Sequence, residues 1–399
     1  MTRELIPGAR ADVDTDLFTY RSLLDDTEVE LLGGLRDWLE EHLAPVVDDH
    51  WARAEFPHDL IPKVAGLDIM GLALDMSERP ARRRLLSGFV GLEIARIDAS
   101  FASFYGVHSG LAMGSIHQCG SDEQRERWLP AMRRLDKIGA FGLTEPHGGS
   151  DVAGGLETTA RRDGDEWVID GAKRWIGNGT FADLIVVWAR DVADDQVKAF
   201  VVEKDMPGFA ATKMENKLAL RITQNADLTF DGVRVPEANR LQNANSFNDT
   251  NAVLRSTRGS VAWSAVGVMT GVYEVVVQYA KDRIQFGRPI AGFQLIQDHL
   301  ATILANLSAA LGMAARGSQL QDEGVFRDEQ GALVKSFCTT RLRESVALAR
   351  EVMGGNGILL EYGMARFFND AEALYSYEGT REINTLIVGR SITGESAFT

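Results

Sequence analysis

The chain has 399 residues, 45% hydrophobic and 25% charged, with 39 glycines and 10 prolines spread along it. That size suits two or three globular domains or one large composite, and the balance argues against disorder. The 42 basic and 57 acidic residues leave a formal charge of −15, which argues against broad electrostatic adhesion to nucleic acid or an anionic membrane but leaves room for a local basic pocket around a phosphate-bearing ligand.

Residues 1–139 read as a helical domain. Thr27 followed by Glu30 makes a capping box, and Leu31, Leu32, Leu35, Trp38 and Leu39 then recur at helical spacing. A second box, Ser121 with Gln124, precedes Trp128 and Leu129, and Pro130 falls near that helix's end. Between them, Gly88 to Leu111 carries Phe89, Leu92, Ile97, Phe101, Phe104 and Tyr105, an apolar density that predicts burial among neighbouring helices. Cys119 and Cys338, the two cysteines, sit in helical, partly apolar settings and read as reduced packing residues. The first twenty residues carry several charges and no secretory core, and no uncharged run of about 18 residues suggests a membrane span, so a soluble cytoplasmic protein is expected. The closing Ser396-Ala397-Phe398-Thr399 is not a peroxisomal address.

Residues 140–245 change to a β pattern. Strand-like runs occupy 167–169, 184–189, 199–202 and 228–230, and Asp163-Gly164, Asp170-Gly171 and Asp231-Gly232 supply hairpin-turn chemistry. A small antiparallel β domain is the simplest reading. From 246 to 399 the helical period returns: Leu300, Ile303, Leu304, Leu307 and Leu311 share one face, as do Val334, Phe337, Cys338 and Leu342, and long helices of this kind pack as a bundle. The resulting α+β class, helices then strands then helices without βαβ alternation, argues against a doubly wound nucleotide fold.

Five segments carry candidate chemistry. Tyr377-Glu378-Gly379-Thr380 interrupts two helical stretches and aims a carboxylate off a helix end, as a catalytic base or as a solvated turn glutamate. Phe141-Gly142-Leu143-Thr144-Glu145-Pro146-His147-Gly148-Gly149-Ser150-Asp151 offers glycines and hydroxyls to a phosphate or heteroaromatic ring, or is a polar linker. Trp175, in Lys173-Arg174-Trp175-Ile176-Gly177-Asn178, stacks on a flat cofactor or belongs to the core. Asp282-Arg283-Ile284-Gln285-Phe286-Gly287 with Gln294 places a guanidinium, a ring and an amide together, a set able to hold a pyrophosphate or simply a solvated helix terminus. Gly354-Gly355-Asn356-Gly357 reads first as a helix-ending turn. No Rossmann or Walker fingerprint, no H-E-x-x-H, no C-x-x-C and no G-x-S-x-G occurs, so no metal is expected and the seven histidines read as surface or satisfied core residues.

In this order, F-G-L-T-E-P-x-x-G-S-D, K-x-W-I-x-N, D-R-x-Q-F-G, G-G-N-G and Y-E-G-T resemble the acyl-CoA dehydrogenase superfamily from about Thr27 to the C-terminus, closest to the glutaryl-CoA dehydrogenase branch and to plant short-chain acyl-CoA oxidases. The resemblance implies an N-terminal helical domain, a middle β domain and a C-terminal four-helix bundle, assembled as a homotetramer, a dimer of dimers, around FAD. It implies fatty acid metabolism, an acyl-CoA substrate and electron-transferring flavoprotein as acceptor. Carried over, Glu378 removes the pro-R α-proton while the β-hydrogen leaves as hydride to flavin N5, giving a trans-2-enoyl-CoA. The enolate oxygen accepts from the base's own N–H and a ribityl hydroxyl. Phe141, Leu143, Thr144, Gly149 and Ser150 contact the flavin, as do Trp175, Ile176 and Gly177. Arg283, Phe286, Gln294, Gly354 and Gly355 hold the FAD of a neighbouring subunit, and Thr380 with Glu382 approaches FAD after the base. On the substrate side stand Ser150, Arg258, Tyr377, Gly379, Ala102 and Ser103. Some members place the base beside Arg258, where this chain has Thr257.

Two positions depart from the pattern. Ala102 stands where glutaryl-CoA dehydrogenases carry an arginine for the distal carboxylate, so glutaryl-CoA is expected to be a poor substrate and an uncharged short acyl chain the better one, with Phe101, Phe104 and Tyr105 filling the space beyond it. Gly177 stands where most dehydrogenases carry threonine, as in the oxidases, which keeps an O2-using short-chain acyl-CoA oxidase as an alternative. A non-catalytic acyl-CoA-binding protein is the third reading, and retention of Glu378 argues against it.

Overall fold

A computed structural model describes residues 13–397. The first twelve residues, part of the stretch read as lacking a secretory core, and Phe398 and Thr399 of the chain end lie outside the described residues. The N-terminal layer holds α1 (Asp26–Trp38), α2 (Val47–Arg53), α3 (Ile61–Ala65), α4 (Arg84–Ile97), α5 (Ala99–Tyr105), α6 (Met113–Cys119) and α7 (Asp122–Arg133). Helix α7 starts on the expected box, with Ser121 Oγ accepting from Gln124 N at 3.3 Å and Gln124 Oε1 accepting from Ser121 N at 2.9 Å. Helix α1 starts two residues earlier than the Thr27–Glu30 reading: Asp25 is the cap, exchanging 3.0 Å bonds with Glu28, and Thr27 donates to Asp25 Oδ1 from inside the first turn. An aspartate caps as well as a threonine, and its charge faces the positive helix end, so the earlier box prevails.

The middle layer is one seven-stranded sheet of β1 (Gly139–Gly142), β2 (Thr159–Asp163), β3 (Glu166–Ile176), β4 (Leu184–Asp191), β5 (Val197–Glu203), β6 (Phe209–Lys213) and β7 (Ala226–Pro236), in the order β1-β4-β2-β3-β7-β6 with β5 also paired to β4. The pairings β2–β3, β3–β7, β6–β7 and β4–β5 are antiparallel, while β4 runs parallel to β1 and, at its end, to β2. Asp163-Gly164 makes the expected hairpin, with Gly164 at φ +65°. The other two Asp-Gly pairs are not turns. They face each other inside β3 and β7, where the register shifts between Ile169 and Gly171, and Asp170 Oδ1 accepts from Gly232 N at 2.8 Å. A bulge uses the same left-handed glycine as a tight turn (Gly232 φ +60°), so the dipeptide alone does not separate them.

The C-terminal layer holds α8 (Phe247–Asp282), a small hairpin of β8 (Ile284–Gln285) and β9 (Arg288–Pro289), α9 (Gln294–Asp322), α10 (Asp328–Met353), α11 (Met364–Ser376) and α12 (Arg381–Thr393). Ile303, Leu307 and Leu311 of α9 and Val334, Cys338 and Leu342 of α10 are buried on the faces their spacing predicted. Both cysteines are free and buried. Helices α8 and α9 are long and apolar enough to cross a membrane by length and composition, but 78% of the apolar window of α8 is buried, which makes it a core helix of the bundle. It crosses α4 so closely that a Cβ on Gly271 would stand 2.2 Å from the Arg96 carbonyl oxygen, and one on Gly267 2.3 Å from that of Leu92.

Buried charge joins the three layers. Arg366 on α11 donates to the Ile97 carbonyl at 2.8 Å and to Asp98 at 3.1 Å, ahead of α5. Asp370, one turn on, accepts from the Trp51 indole at 3.0 Å and from Leu220 N of the middle layer at 2.7 Å. Burial, with the Asp98 charge adding to it, pushes the Asp370 carboxyl up. The helix that leads into the Glu378 turn is thereby fixed to both other layers. Gly271→Ala is expected to cost about 1–3 kcal/mol through overpacking, read as a lower denaturant midpoint at unchanged m; an unmoved midpoint contradicts the close α4–α8 crossing.

Candidate active site

Helix α11 ends at Ser376, and α12 begins from the cap Thr380, whose hydroxyl accepts from Ile383 N at 3.2 Å. Between them the chain reverses through Glu378 at φ +56° and Gly379 at φ +84°. A left-handed glutamate is strained and persists only where its surroundings hold it. Lys335, fully buried on α10, supplies the hold: its ammonium donates to the carbonyls of Tyr375 and Gly379, both at 2.8 Å. Asn384, also buried, donates to the carbonyls of Gly379 at 2.9 Å and Thr380 at 3.0 Å. Burial pulls the Lys335 pKa down to about 8, against the opposing charges of Glu378 and Glu382. Sequence reasoning missed Lys335; the available signal was a lysine set among Val334, Cys338 and Leu342 on the buried side of α10.

Glu378 accepts a 3.0 Å hydrogen bond from Thr257 Oγ1 on α8. The next residue, Arg258, is buried, lies 3.9 Å from Asp328 and acts electrostatically on Glu378. Burial raises the Glu378 pKa, and the Thr257 bond, the Arg258 charge and the Lys335 charge oppose it in that order. A carboxylate in this setting is a stronger base than one in water while its partners keep the ionised form in reach. Tyr377 is half-buried, its phenol pushed up by burial and opposed by the Ser103 hydroxyl, which also donates to the Ala99 carbonyl at 2.9 Å. Gly379 is exposed beside it.

A cavity of about 280 Å³ reaches Thr257 between α4, α5 with the turn that follows it, and α8, and Ala102 and Tyr105 line it. Phe101 and Phe104 do not. Phe101 stacks on Phe56 at 5.9 Å, and Phe104 lies 5.0 Å from Phe56 and 6.3 Å from Phe181. Phe101 and Phe104 are taken up by the Phe56 cluster, so of the three aromatics expected to fill the pocket only Tyr105 lines it.

The Phe141–Ser150 loop and β3 form a second surface. Phe141 and Leu143 are buried, Thr144 half-buried, Gly149 and Ser150 exposed. Lys173 pins the loop, donating to Glu145 at 2.7 Å and to the Leu143 carbonyl at 3.1 Å, while Glu145 accepts from Glu157 N at 2.6 Å and Thr158 N at 2.9 Å. Ile176 and Gly177 are buried, but Trp175 is 55% exposed at φ +66°, its carbonyl accepting from Asn225 at 3.2 Å. An indole held in solvent on a strained backbone is a platform for a flat partner. A Cβ on Gly177 would meet Val107 at 3.0 Å, so a larger residue there displaces that valine.

Arg283, Phe286, Gln294, Gly354 and Gly355 are all exposed, and Tyr279 links the end of α8 to the turn after α10: its hydroxyl accepts from Asn356 at 3.0 Å and donates to the Met353 carbonyl at 3.4 Å. Among the described residues no hydrogen bond, ion pair or ring contact joins these residues to Trp175 or the Phe141–Ser150 loop. Glu382 is exposed in the first turn of α12. Among the described residues no cluster of three metal-ligating side chains occurs, and His108 is a satisfied core residue that accepts from Gly139 N at 2.9 Å.

Three family profiles match the chain in order: the acyl-CoA dehydrogenase N-terminal domain over residues 25–136, the middle domain over 140–233 and the C-terminal domain over 247–393. The chain is 33% identical over 365 residues to an acyl-CoA dehydrogenase of Bacillus subtilis (strain 168), covering 90% of this chain and 96% of that protein. It is 32% identical over 394 residues to the mitochondrial short-chain specific acyl-CoA dehydrogenase of Homo sapiens, covering 97% and 94%. The crystal structure of a glutaryl-CoA dehydrogenase from Mycobacterium smegmatis in complex with FADH2 superimposes with a TM-score of 0.92 at 33% identity, over 96% of this chain and 98% of that one.

A base at Glu378 loses activity as pH falls through its raised pKa. Thr257→Val removes the bond that favours the carboxylate, so the acid limb of kcat/KM is expected to move to higher pH. Lys335→Met should move it the same way and lower kcat; an acid limb fixed in both variants contradicts the assignment of that limb to Glu378.

Proposed function

The chain belongs to the acyl-CoA dehydrogenase family, and we propose that Glu378 abstracts the α-proton of a short-chain acyl-CoA in its conversion to the trans-2-enoyl-CoA. The protein is an oxidoreductase acting on CH–CH bonds and uses FAD. The observation that carries the proposal is the strained, clamped Glu378 turn with its carboxylate on Thr257.

The residues present suit FAD. The exposed Trp175 indole gives a flat face, Ile176 and Gly177 a close backbone, Phe141 and Leu143 an apolar wall, and Thr144, Gly149 and Ser150 hydroxyl and backbone donors. Bound there, FAD would supply the acceptor for the β-hydride. Thr380 and Glu382 approach it from the start of α12. The patch of Arg283, Phe286, Gln294, Gly354 and Gly355 serves the FAD of a neighbouring subunit in a homotetramer. Supporting this, Phe286 is 93% and Leu295 77% exposed, and side chains of that kind left in solvent mark assembly surfaces.

An α-C–H beside a thioester is a weak acid, so developing charge on the carbonyl oxygen needs a donor. The backbone hydrogen bonds of the turn leave the Glu378 N–H unused, and it is the donor we assign. Arg258 orients the CoA side, Tyr377 and Gly379 flank the thioester, and Ala102 and Ser103 border the acyl group, with Ser150 at the mouth. Ala102 offers a short diacid no cation. Support for a short chain comes from the 32% identity to the human short-chain enzyme. Electron-transferring flavoprotein is the acceptor.

Butyryl-CoA should bleach the oxidised flavin anaerobically, and Glu378→Gln should slow bleaching by about 10²–10⁴-fold; bleaching of that variant at the wild-type rate contradicts the base. The reduced enzyme should stay reduced in air until electron-transferring flavoprotein is added. Rapid reoxidation in air would instead assign the oxidase reading that Gly177 permits.

A further inference from the structure

The cavity that reaches Thr257 has a lining unlike an alkyl pocket. Its charged side chains are Arg84 and Arg125, its walls carry many hydroxyl and amide groups, and no carboxylate lines it, in a chain with a net charge of −15. Arg84, the first residue of α4, is half-buried, and among the described residues its guanidinium makes no hydrogen bond or ion pair. The nearby Asp322 is spent on the backbone, accepting from Arg84 N at 2.6 Å and from Leu85 N at 3.4 Å. Burial lowers the Arg84 pKa, opposed by Asp322 and Tyr105. Arg125 pairs with Asp122 at 3.2 Å and keeps only its Nε buried without a partner. A guanidinium fork lining a cavity with no directly bonded carboxylate is a ready partner for an anion that enters it.

Its position sets the wall on which the chain would end. Helices α4 and α8 run side by side, Gly88 against Trp263 and Gly267 against Leu92, which sets Arg84 level with Gly259, two residues from Thr257 and one helix across. Neighbouring helix axes are about 9 Å apart, so a chain beginning at Glu378 must cross the lumen past Thr257 before its end meets the Arg84 side chain. Glycines keep the route open: a Cβ on Gly91, Gly106 or Gly114 meets nothing within 4 Å.

We propose that the cavity takes an acyl chain of about six to eight carbons ending in a carboxylate, paired with Arg84 across the lumen. The site thus accepts monothioesters of medium-length dicarboxylic acids beyond the short chains assigned above. This rests on the acyl-CoA reading of the Glu378 site.

The test is calorimetry on the FAD-loaded enzyme with two unreactive CoA thioethers, S-octyl-CoA and S-(7-carboxyheptyl)-CoA. The carboxylated probe should bind wild type at least about tenfold more tightly, as a charge-assisted bond warrants. Arg84→Met should abolish that ratio and Arg84→Lys retain part of it. Tighter binding of the octyl probe to wild type, or a ratio that survives Arg84→Met, overturns the proposal. The wild-type ratio decides alone should Arg84→Met fail to fold. Butyryl-CoA bleaching is read in parallel: its absence sinks the acyl-CoA reading, whereas bleaching without carboxylate preference sinks only this inference.

Discussion

The site depends on a buried ammonium. Lys335 reaches from α10 to the carbonyls of Tyr375 and Gly379, the two ends of the reversal that carries Glu378. An uncompensated lysine in a core is expensive, and among the described residues no carboxylate pairs with this one directly; the two carbonyls, aided by the charges of Glu378 and Glu382, offset the cost. In exchange the glutamate stays in a left-handed conformation that a free loop would abandon. Asn384 repeats the clamp from α12, so bundle and turn hold each other.

Side chains from other layers meet that turn. Thr257 and Arg258 come from α8, Ala102 and Ser103 from α5, and the platform we propose for the cofactor from β3 and the β1–β2 loop. Asn178, just after β3, donates to the carbonyls of Phe104 at 3.4 Å and Gly139 at 3.2 Å, tying the platform to the helical layer. Arg366 and Asp370 do the same for α11. Burial moves Glu378 of the turn and Lys335 of α10 toward neutrality, the first upward and the second downward, while each charge favours the other.

Much of this was legible in the residues. The helix–sheet–helix order, the Ser121 box and the buried faces of α9 and α10 follow from period and capping, which act locally. The Tyr377–Thr380 break was visible because Gly379 interrupts two helical patterns; that Thr380 caps the second helix emerged only from the structure. What failed needed partners distant in sequence. Two Asp-Gly pairs became facing bulges, because a dipeptide does not say which strand lies opposite. Phe101 and Phe104 turned toward Phe56 and not into the cavity, because one helix face has two possible neighbours. The parallel pairing of β4 with β1 and β2, and the role of Lys335, likewise depend on contacts that no local pattern specifies.

The claim at the centre is that the clamped Glu378 carboxylate takes the α-proton. Proton NMR of an acyl-CoA analogue unable to lose its β-hydrogen, incubated with the enzyme in D2O, reads that step apart from hydride transfer. One α-proton should exchange stereospecifically with wild type and neither with Glu378→Gln. Equal exchange by the glutamine variant would place the base elsewhere.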